Sequence, residues 1–160
     1  MGSTGASDTR REFSLLLDDQ LCFALYAASR AVTNRYRPLL EKLDLTYPQY
    51  LVLLVLWEHD AVPIKQVGTA LQLDYGTLTP LIKRLETAGL VRRERRPDDE
   101  RTVQVTLTDQ GTQLRERAIA VPNTIGEAMG LTASEANDAK ALLRRLTANV
   151  SAETAAVARD

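Results

Sequence analysis

The spacing of hydrophobic residues changes at Gly89, and this change constrains the fold more than any other feature of the chain. Residues 102–107 alternate strictly between polar and apolar side chains, and residues 90–96 also have an extended pattern. Together they predict two antiparallel strands joined by a tip at residues 97–101. The other clearly patterned segments have the spacing of amphipathic helices. The sequence therefore predicts an α+β chain that is mainly helical and contains one small β-hairpin.

Two short helices are predicted directly before the hairpin. The first spans residues 63–71, and Pro63 suits its opening turn. The second follows Asp74 as N-cap and is stopped by Gly89, with a local bend expected at Pro80. A helix pair followed by a two-stranded ribbon is the order of a winged helix-turn-helix domain, which binds DNA.

Four further helical segments surround this central part. The first helix has an apolar face from Leu17 to Val32 and is expected to end or bend near Tyr36, because Pro38 follows. Residues 48–58 are apolar nearly all round, which predicts a buried helix. A long helix begins at residues 108–109 and is expected to reach about residue 120. A capping box at residues 132–135 opens the last helix, whose apolar face is Ala139, Leu142, Leu143, Leu146 and Val150.

The charge of the chain is unevenly distributed. The whole chain carries −1, but residues 83–96 hold six basic and two acidic side chains, so this stretch carries +4 and the other 146 residues carry −5. A basic patch on an acidic body suggests a confined anionic partner. A basic strand alone is usually a solvated face, but its combination with a helix pair in this order favours DNA.

The candidate DNA-binding residues lie on the second short helix and the hairpin. Short polar groups near the start of the helix can reach base edges, and basic groups further along can meet phosphates. An arginine near the ribbon tip suits a narrow minor groove. On this basis the predicted residues are Tyr75, Thr77, Thr79, Lys83, Arg84, Arg93, Arg95 and Arg101.

The remaining composition excludes several classes of protein. One cysteine cannot close an internal disulfide and fits a reducing compartment, so we expect a cytoplasmic location. The longest apolar run, residues 50–57, is too short to span a membrane, and no signal peptide is recognisable. One cysteine and one histidine cannot build an ordinary zinc site. No phosphate-binding loop or serine-nucleophile motif occurs, so we expect no catalytic residue, metal or cofactor.

Several motifs resemble one family of regulators. Residues 99–108 are similar to the Asp-x-Arg…Val-x-Leu-Thr signature of MarR-type winged-helix regulators. Within that family, the sequence around Cys22, with Tyr26 and residues 46–50, 56–59 and 76–81, resembles the OhrR-type organic hydroperoxide sensors. The resemblance covers about residues 18–122.

The resemblance implies a homodimeric repressor that leaves its operator when Cys22 is oxidised. It also implies that Tyr36 and Tyr47 bond the cysteine sulfur, and that Arg101 enters the minor groove with support from Asp99. Some members carry a second, resolving cysteine, which this chain lacks. Residues 128–160 resemble the family only in being helical.

The position of Cys22 leads to a prediction about the dimer. Cys22 is expected in the second or third turn of the first helix, where Tyr26 shares its face. Tyr36 lies 14 residues further on, roughly 21 Å along a straight helix at about 1.5 Å per residue. A sulfur–Tyr36 contact therefore requires the partner subunit. Phe23 and Tyr26 are expected to line an apolar pocket that favours organic hydroperoxides, whereas Asp18 and Asp19 would oppose a thiolate if they face it.

Without a second cysteine, the first oxidation product, a sulfenic acid, is expected to form a mixed disulfide with a small cellular thiol. Three alternatives stay open at this point. Cys22 could be an ordinary buried apolar residue, the regulator could respond to a small aromatic ligand without covalent chemistry, or the chain could be a one-cysteine thiol peroxidase.

The predicted organisation is a flexible tail at residues 1–12, N-terminal dimerisation and sensing helices at 13–47, a winged helix-turn-helix domain at 48–108 and C-terminal dimerisation helices at 109–160. Two-fold symmetry predicts a pseudo-palindromic double-stranded DNA operator.

Overall fold

The computed structural model describes residues 14–158, apart from the side chain of Glu100, so the predicted flexible tail at 1–12 lies outside the described residues. A short 3-10 helix at Leu17–Asp19 precedes the first α-helix. The elements that follow are α1 (Leu21–Glu41), α2 (Tyr47–Glu58), β1 (Ala61–Pro63), α3 (Ile64–Leu71), α4 (Tyr75–Thr87), β2 (Val91–Arg96), β3 (Asp99–Leu107), α5 (Asp109–Ala118), α6 (Val121–Met129) and α7 (Ala133–Val157).

Helix α2 forms the centre of the core. Its N-terminus has a capping box, in which Gln49 Oε1 accepts a hydrogen bond from the Thr46 amide at 2.8 Å and the Thr46 hydroxyl accepts one from the Gln49 amide. Tyr50, Leu53 and Leu56 are almost fully buried, and the helix contacts α1, α3, α4, α5 and β3. The predicted buried helix is confirmed.

The predicted helix pair is also confirmed. Gln72 ends α3 in the left-handed conformation at φ 55°, and Asp74 caps α4. Helix α4 continues through Pro80 and ends before Gly89, whose φ of +74° suits glycine. Helices α3 and α4 contact each other, and both contact α2.

The hairpin belongs to a three-stranded antiparallel sheet in the order β1-β3-β2. Strand β1 was not predicted, because three residues are too few to show an alternating pattern. The tip predicted at residues 97–101 is wrong in its length. Arg96 pairs with Asp99, so the turn contains only Pro97 and Asp98. The register of the β2–β3 pairing shifts between Arg95 and Arg96, just before this turn.

Helix α1 differs from its prediction at both ends. It begins at Leu21, because Leu17 belongs to the preceding 3-10 helix, so Cys22 lies in the first turn and not in the second or third. It continues through Pro38 to Glu41, so of the two expected outcomes, an end or a bend near Tyr36, the end is wrong. Pro38 removes one backbone donor, but Leu40 is buried in the core and holds the last turn in place.

The C-terminal part contains one helix more than predicted. Helix α5 stops at Ala118, and Pro122 lies in the first turn of α6 instead of ending a longer helix. Helix α7 opens with the predicted capping box of Thr132 and Glu135. None of its residues is buried, and Leu142, Leu143, Val150 and Val157 are exposed. Among the described helices, none has an apolar stretch long enough to cross a membrane.

Candidate nucleic-acid interface and cysteine site

The N-terminal half of α4 carries the three predicted base-reading side chains, of which Tyr75 and Thr77 are exposed and Thr79 is partly exposed. Tyr75 is 68% exposed. The Thr77 hydroxyl donates to Asp74 Oδ2 at 2.8 Å, and the Thr79 hydroxyl donates to the Tyr75 carbonyl oxygen at 2.8 Å. Because each threonine proton is already bonded, these side chains offer acceptor oxygens and methyl groups to a ligand.

Asp74 orders this end of the helix. Its Oδ1 accepts the Thr77 amide at 2.8 Å, and the two hydrogen bonds from Thr77 lower the pKa of Asp74. The carboxylate therefore stays ionised and keeps the first turn of α4 in one conformation.

Lys83 and Arg84 extend the exposed surface of α4. Both side chains are exposed, and within residues 14–158 neither forms an ion pair. Leu78, Ile82 and Leu85 bury the opposite face of the helix in the core. The polar side of α4 is thus free to meet an anion.

The hairpin arginines are largely engaged with acidic neighbours. Arg92 pairs with Glu94 at 3.2 Å, and Arg96 forms two bonds to Asp98, the shorter at 2.6 Å. The hydrogen bonds from Arg96 lower the pKa of Asp98. Arg93 pairs with Glu86 of α4 at 2.8 Å, and Arg95 is engaged as well. Three of the six basic side chains in residues 83–96 are therefore paired with carboxylates inside the protein.

Arg101 differs from these arginines. Its side chain is exposed and forms no ion pair with the described side chains. Asp99 accepts the Arg101 amide at 3.1 Å and the Thr102 hydroxyl at 2.6 Å, and these bonds lower the pKa of Asp99. Asp99 thus orders the backbone at Arg101 and leaves the guanidinium available.

The predicted sulfur-contacting tyrosines lie together where α1 meets α2. The rings of Tyr36 and Tyr47 have centroids 4.6 Å apart, and the Tyr50 ring is 5.9 Å from that of Tyr36. Burial, and then the neighbouring Tyr47 and Tyr50 phenols, raise the pKa of Tyr36 to about 12. Burial also raises the pKa of Tyr47. Both phenols are therefore protonated donors at neutral pH.

Cys22 lies near the other end of α1 and is exposed. Its neighbour Phe23 is exposed too, and Tyr26 is covered on one face by the Arg30 guanidinium, 5.4 Å from the ring centre. The 14-residue separation places Tyr36 roughly 21 Å away along the continuous helix. One protomer thus brings Tyr36 and Tyr47 together but does not bring Cys22 to them.

Sequence reasoning missed one contact of this surface, the pairing of Glu86 with Arg93. The two residues are seven apart on different elements, and no periodic pattern connects them. Within the part of the chain that is described, no group of three histidine, cysteine or acidic side chains could hold a metal ion.

Comparison of the sequence with known proteins shows similarity to transcriptional regulators. The family model described as "Transcriptional regulator SarA/Rot" matches residues 34–117. The organic hydroperoxide resistance transcriptional regulator of Bacillus subtilis is 51% identical over 126 residues, which are 79% of this chain and 84% of that protein. The chain is a MarR-family winged-helix regulator of the OhrR type. It therefore belongs to a family of DNA-binding transcriptional regulators and not of enzymes.

Solved structures show the same fold. The regulator has 37% identity and a TM-score of 0.71 to AbfR of Staphylococcus epidermidis in its reduced form bound to DNA, with 84% of this chain and 92% of that chain covered. Against disulfide-formed AbfR the identity is 39% and the TM-score 0.57, with 84% and 90% covered. Overoxidised AbfR bound to DNA gives a TM-score of 0.70, so the regulator is about equally similar to both DNA-bound forms and less similar to the disulfide form.

Proposed function

We propose that the regulator is a homodimeric repressor that binds a pseudo-palindromic operator and releases it when an organic hydroperoxide oxidises Cys22. The observation that carries the proposal is the arrangement of α1, with an exposed cysteine near one end and two protonated phenols, Tyr36 and Tyr47, near the other. The reactive group and its hydrogen-bond donors are separated within one chain, so the site is complete only between two chains.

The exposed apolar residues support a dimer. Helix α7 is 25 residues long and buries none of its side chains within the protomer. Leu16, Leu17 and Leu21 next to Cys22 are also more than half exposed. Apolar surface of this extent at both ends of the chain is typical of a subunit interface. A dimer would bury it and bring the two α1 helices together.

In the proposed dimer, the α1 helices cross in antiparallel orientation. Cys22 of one protomer then lies beside the Tyr36–Tyr47 pair of its partner. The first turn of α1 contributes unpaired backbone N–H groups and a partial positive charge near the sulfur, and the phenols donate hydrogen bonds. All three favour the thiolate. Phe23 and Tyr26 provide apolar walls for the organic part of the peroxide.

The chemistry of sensing is a two-electron oxidation of sulfur. The thiolate attacks the terminal oxygen of the hydroperoxide, the O–O bond breaks, and an alkoxide leaves and takes up a proton as the alcohol. Cys22 becomes a sulfenic acid. A small cellular thiol then attacks that sulfur, which forms a mixed disulfide and releases water. Because the chain has a single cysteine, excess peroxide instead drives the sulfur to sulfinic or sulfonic acid.

The proposed DNA contacts follow from the two exposed parts of the domain. The start of α4 enters the major groove, basic side chains around it meet phosphates, and the hairpin tip enters the minor groove. The residues assigned to these contacts are Tyr75, Thr77 and Thr79 for base edges, Lys83 and Arg84 for phosphates, and Arg101 with its support Asp99 for the minor groove.

Release follows from the location of the sensor at the dimer contact. Oxidation adds a polar atom, or a bound thiol, where Cys22 meets the partner's phenols. The altered contact rotates the protomers and changes the distance between the two α4 helices. That distance must match half-sites about one DNA turn apart, so affinity falls.

A heterodimer of a Cys22→Ser chain and a Tyr36→Phe chain tests the shared site. If the site forms between chains, this heterodimer has one intact site, which combines the Cys22 of one chain with the Tyr36 of the other. If it forms within a chain, no intact site remains. We expect the purified heterodimer, bound to the DNA upstream of the regulator's own gene, to release it on addition of an organic hydroperoxide. Release no faster than from the Tyr36→Phe homodimer would contradict the proposal.

A second candidate, a non-covalent aromatic ligand as the signal, is favoured by one cleft. A cavity of about 320 Å³ is lined by Tyr50, Leu54, Trp57 and Ile119, with Arg115 also in its wall. Aromatic walls and a guanidinium suit a small aromatic acid. Release of DNA by salicylate from the Cys22→Ser protein would support this candidate, whereas release that requires both peroxide and Cys22 would exclude it.

A further inference from the structure

Glu86 joins α4 to the hairpin through two hydrogen bonds and one ion-pair contact, all with the same residue. Its Oε2 lies 2.8 Å from Arg93 Nη2 and 2.9 Å from Arg93 Nε, and its Oε1 accepts the Arg93 backbone amide at 3.1 Å. The guanidinium and the amide of Arg93 lower the pKa of Glu86. The carboxylate therefore stays ionised and holds both the side chain and the backbone of Arg93.

The hydrogen bond from the Arg93 amide to Glu86 matters because Arg93 lies on an edge strand of the sheet. Strand β2 is an edge strand, because the order is β1-β3-β2. The outward N–H groups of an edge strand have no strand partner and need another acceptor. Glu86 supplies it from the last turn of α4. The edge of the wing, defined here as β2, its turn and β3, is thereby attached to the helix that enters the major groove.

We propose that Glu86 is a positioning residue for DNA recognition, which holds the wing at a fixed angle to α4 through Arg93. This inference rests on the DNA-binding function of the regulator. It assigns Arg93 a role inside the protein, where its guanidinium is bound by Glu86, in place of the phosphate contact that its charge suggests. Because Arg93 is neutralised, it also adds little to attraction for DNA of any sequence.

A fixed angle matters because recognition uses two grooves at once. The side chains at the start of α4 and Arg101 on the wing must reach adjacent grooves of one duplex. The chain connects α4 to β2 only through Ala88, Gly89 and Leu90. Leu85 and Val91 are both buried in the core, and α4 contacts β2. Glu86 and Arg93 add a polar attachment at the outer edge, which restricts rotation of the wing about that contact.

The test compares Glu86→Ala, Glu86→Gln, Arg93→Ala and the Glu86→Ala/Arg93→Ala double variant in the full-length reduced protein. Fluorescence anisotropy measures Kd at several salt concentrations on the duplex upstream of the regulator's own gene and on a scrambled duplex of equal composition. Glu94→Gln is the matched control. This substitution also removes one carboxylate that pairs with a wing arginine. Glu94 and its partner Arg92 both lie on β2, so the substitution removes no attachment between the wing and α4. Circular dichroism checks folding of every variant.

We expect Glu86→Ala and Arg93→Ala each to weaken binding to the upstream duplex about tenfold, a loss of roughly 1.4 kcal/mol. The scrambled duplex should bind to each of these two variants no more weakly than it binds to the parent. The double variant should be no worse than either single one, because both remove the same contact. Glu86→Gln, which still accepts the amide, should lose less, and Glu94→Gln should stay within about twofold of the parent. The salt slope of Arg93→Ala should equal that of the parent.

Three results would overturn the inference. One is a salt slope for Arg93→Ala that is shallower by about 2 per dimer, which would show that Arg93 binds phosphate. Another is parental or tighter operator binding by Glu86→Ala, and the third is an equal loss in Glu94→Gln. Failure of the parent itself to prefer the upstream duplex over the scrambled one would contradict the proposed function instead, so the two failures are distinguishable.

Discussion

The salt dependence of DNA binding is predicted to be shallower than the number of basic residues suggests. Residues 83–101 contain Lys83, Arg84 and five hairpin arginines, but four of those arginines are engaged within the protein. Lys83, Arg84 and Arg101 are left for phosphates or the minor groove. A dimer would then neutralise about six phosphates, which at roughly −0.9 each gives a slope of log affinity against log salt of about −5. Seven residues per protomer would give about −13.

Fluorescence anisotropy with the reduced protein and the upstream duplex measures this slope directly between 50 and 200 mM potassium chloride, where a slope of about −5 lowers affinity about a thousandfold. Replacing Arg84 with alanine should make the slope shallower by about 2, because both protomers lose one contact. A parental slope steeper than about −9 would refute the reasoning, since the engaged arginines would then have exchanged their carboxylates for phosphates.

Three further outcomes are expected. The Tyr36→Phe/Tyr47→Phe variant should bind DNA like the parent but release it at least about tenfold more slowly after organic hydroperoxide, because the thiolate has lost its phenolic donors; a parental rate in stopped-flow anisotropy would contradict this. The pKa of Tyr36 is raised from 10.0 to about 12, so its contribution to stability is complete below pH 10 and is lost as pH rises through about 12. Tyr36→Phe should therefore unfold at a higher pH in circular dichroism, and an unchanged alkaline midpoint would argue against the cause given. Gly111→Ala should lower the free energy of unfolding by about 1–3 kcal/mol, because a Cβ there would collide with the Leu90 carbonyl, whereas the control Gly126→Ala has open space and should be neutral or stabilising in urea unfolding.

Elements marked by local signals were predictable from the sequence. The capping residues Thr46, Asp74 and Thr132 each accept the hydrogen bond expected of an N-cap, and the helices they open were predicted. These signals act between residues three apart, so they are visible without knowledge of the fold. The alternating pattern after Gly89 predicted the hairpin for the same reason.

Elements that depend on contacts distant in sequence were not predictable. Strand β1 exists through its pairing with β3, more than 40 residues later. Pro38 and Pro122 have the same local chemistry, yet one lies inside a helix and the other begins one. Burial of Leu40 decides the first case, and burial of Val121 at the start of α6 contributes to the second. The tertiary core, not the proline, determines where these helices end.

The candidate site also contains some contacts that the sequence predicts and others that it does not. The expected tyrosine pair lies together, because α1 and α2 are neighbours in sequence and in the fold. The Glu86–Arg93 contact requires the chain to turn at Gly89 so that a helix and an edge strand face each other, and no sequence pattern indicates it. In the proposed mechanism, completion of the cysteine site requires a second chain.

The most direct test of cysteine sensing is a titration of DNA release. The reduced parent and Cys22→Ser are bound to the labelled upstream duplex, and about one equivalent of an organic hydroperoxide per protomer is added while anisotropy is followed. The proposed mechanism predicts that the parent releases the DNA, that Cys22→Ser stays bound, and that a small thiol followed by a reductant restores parental binding. Equal release from both proteins, or none from either, would contradict a switch at Cys22.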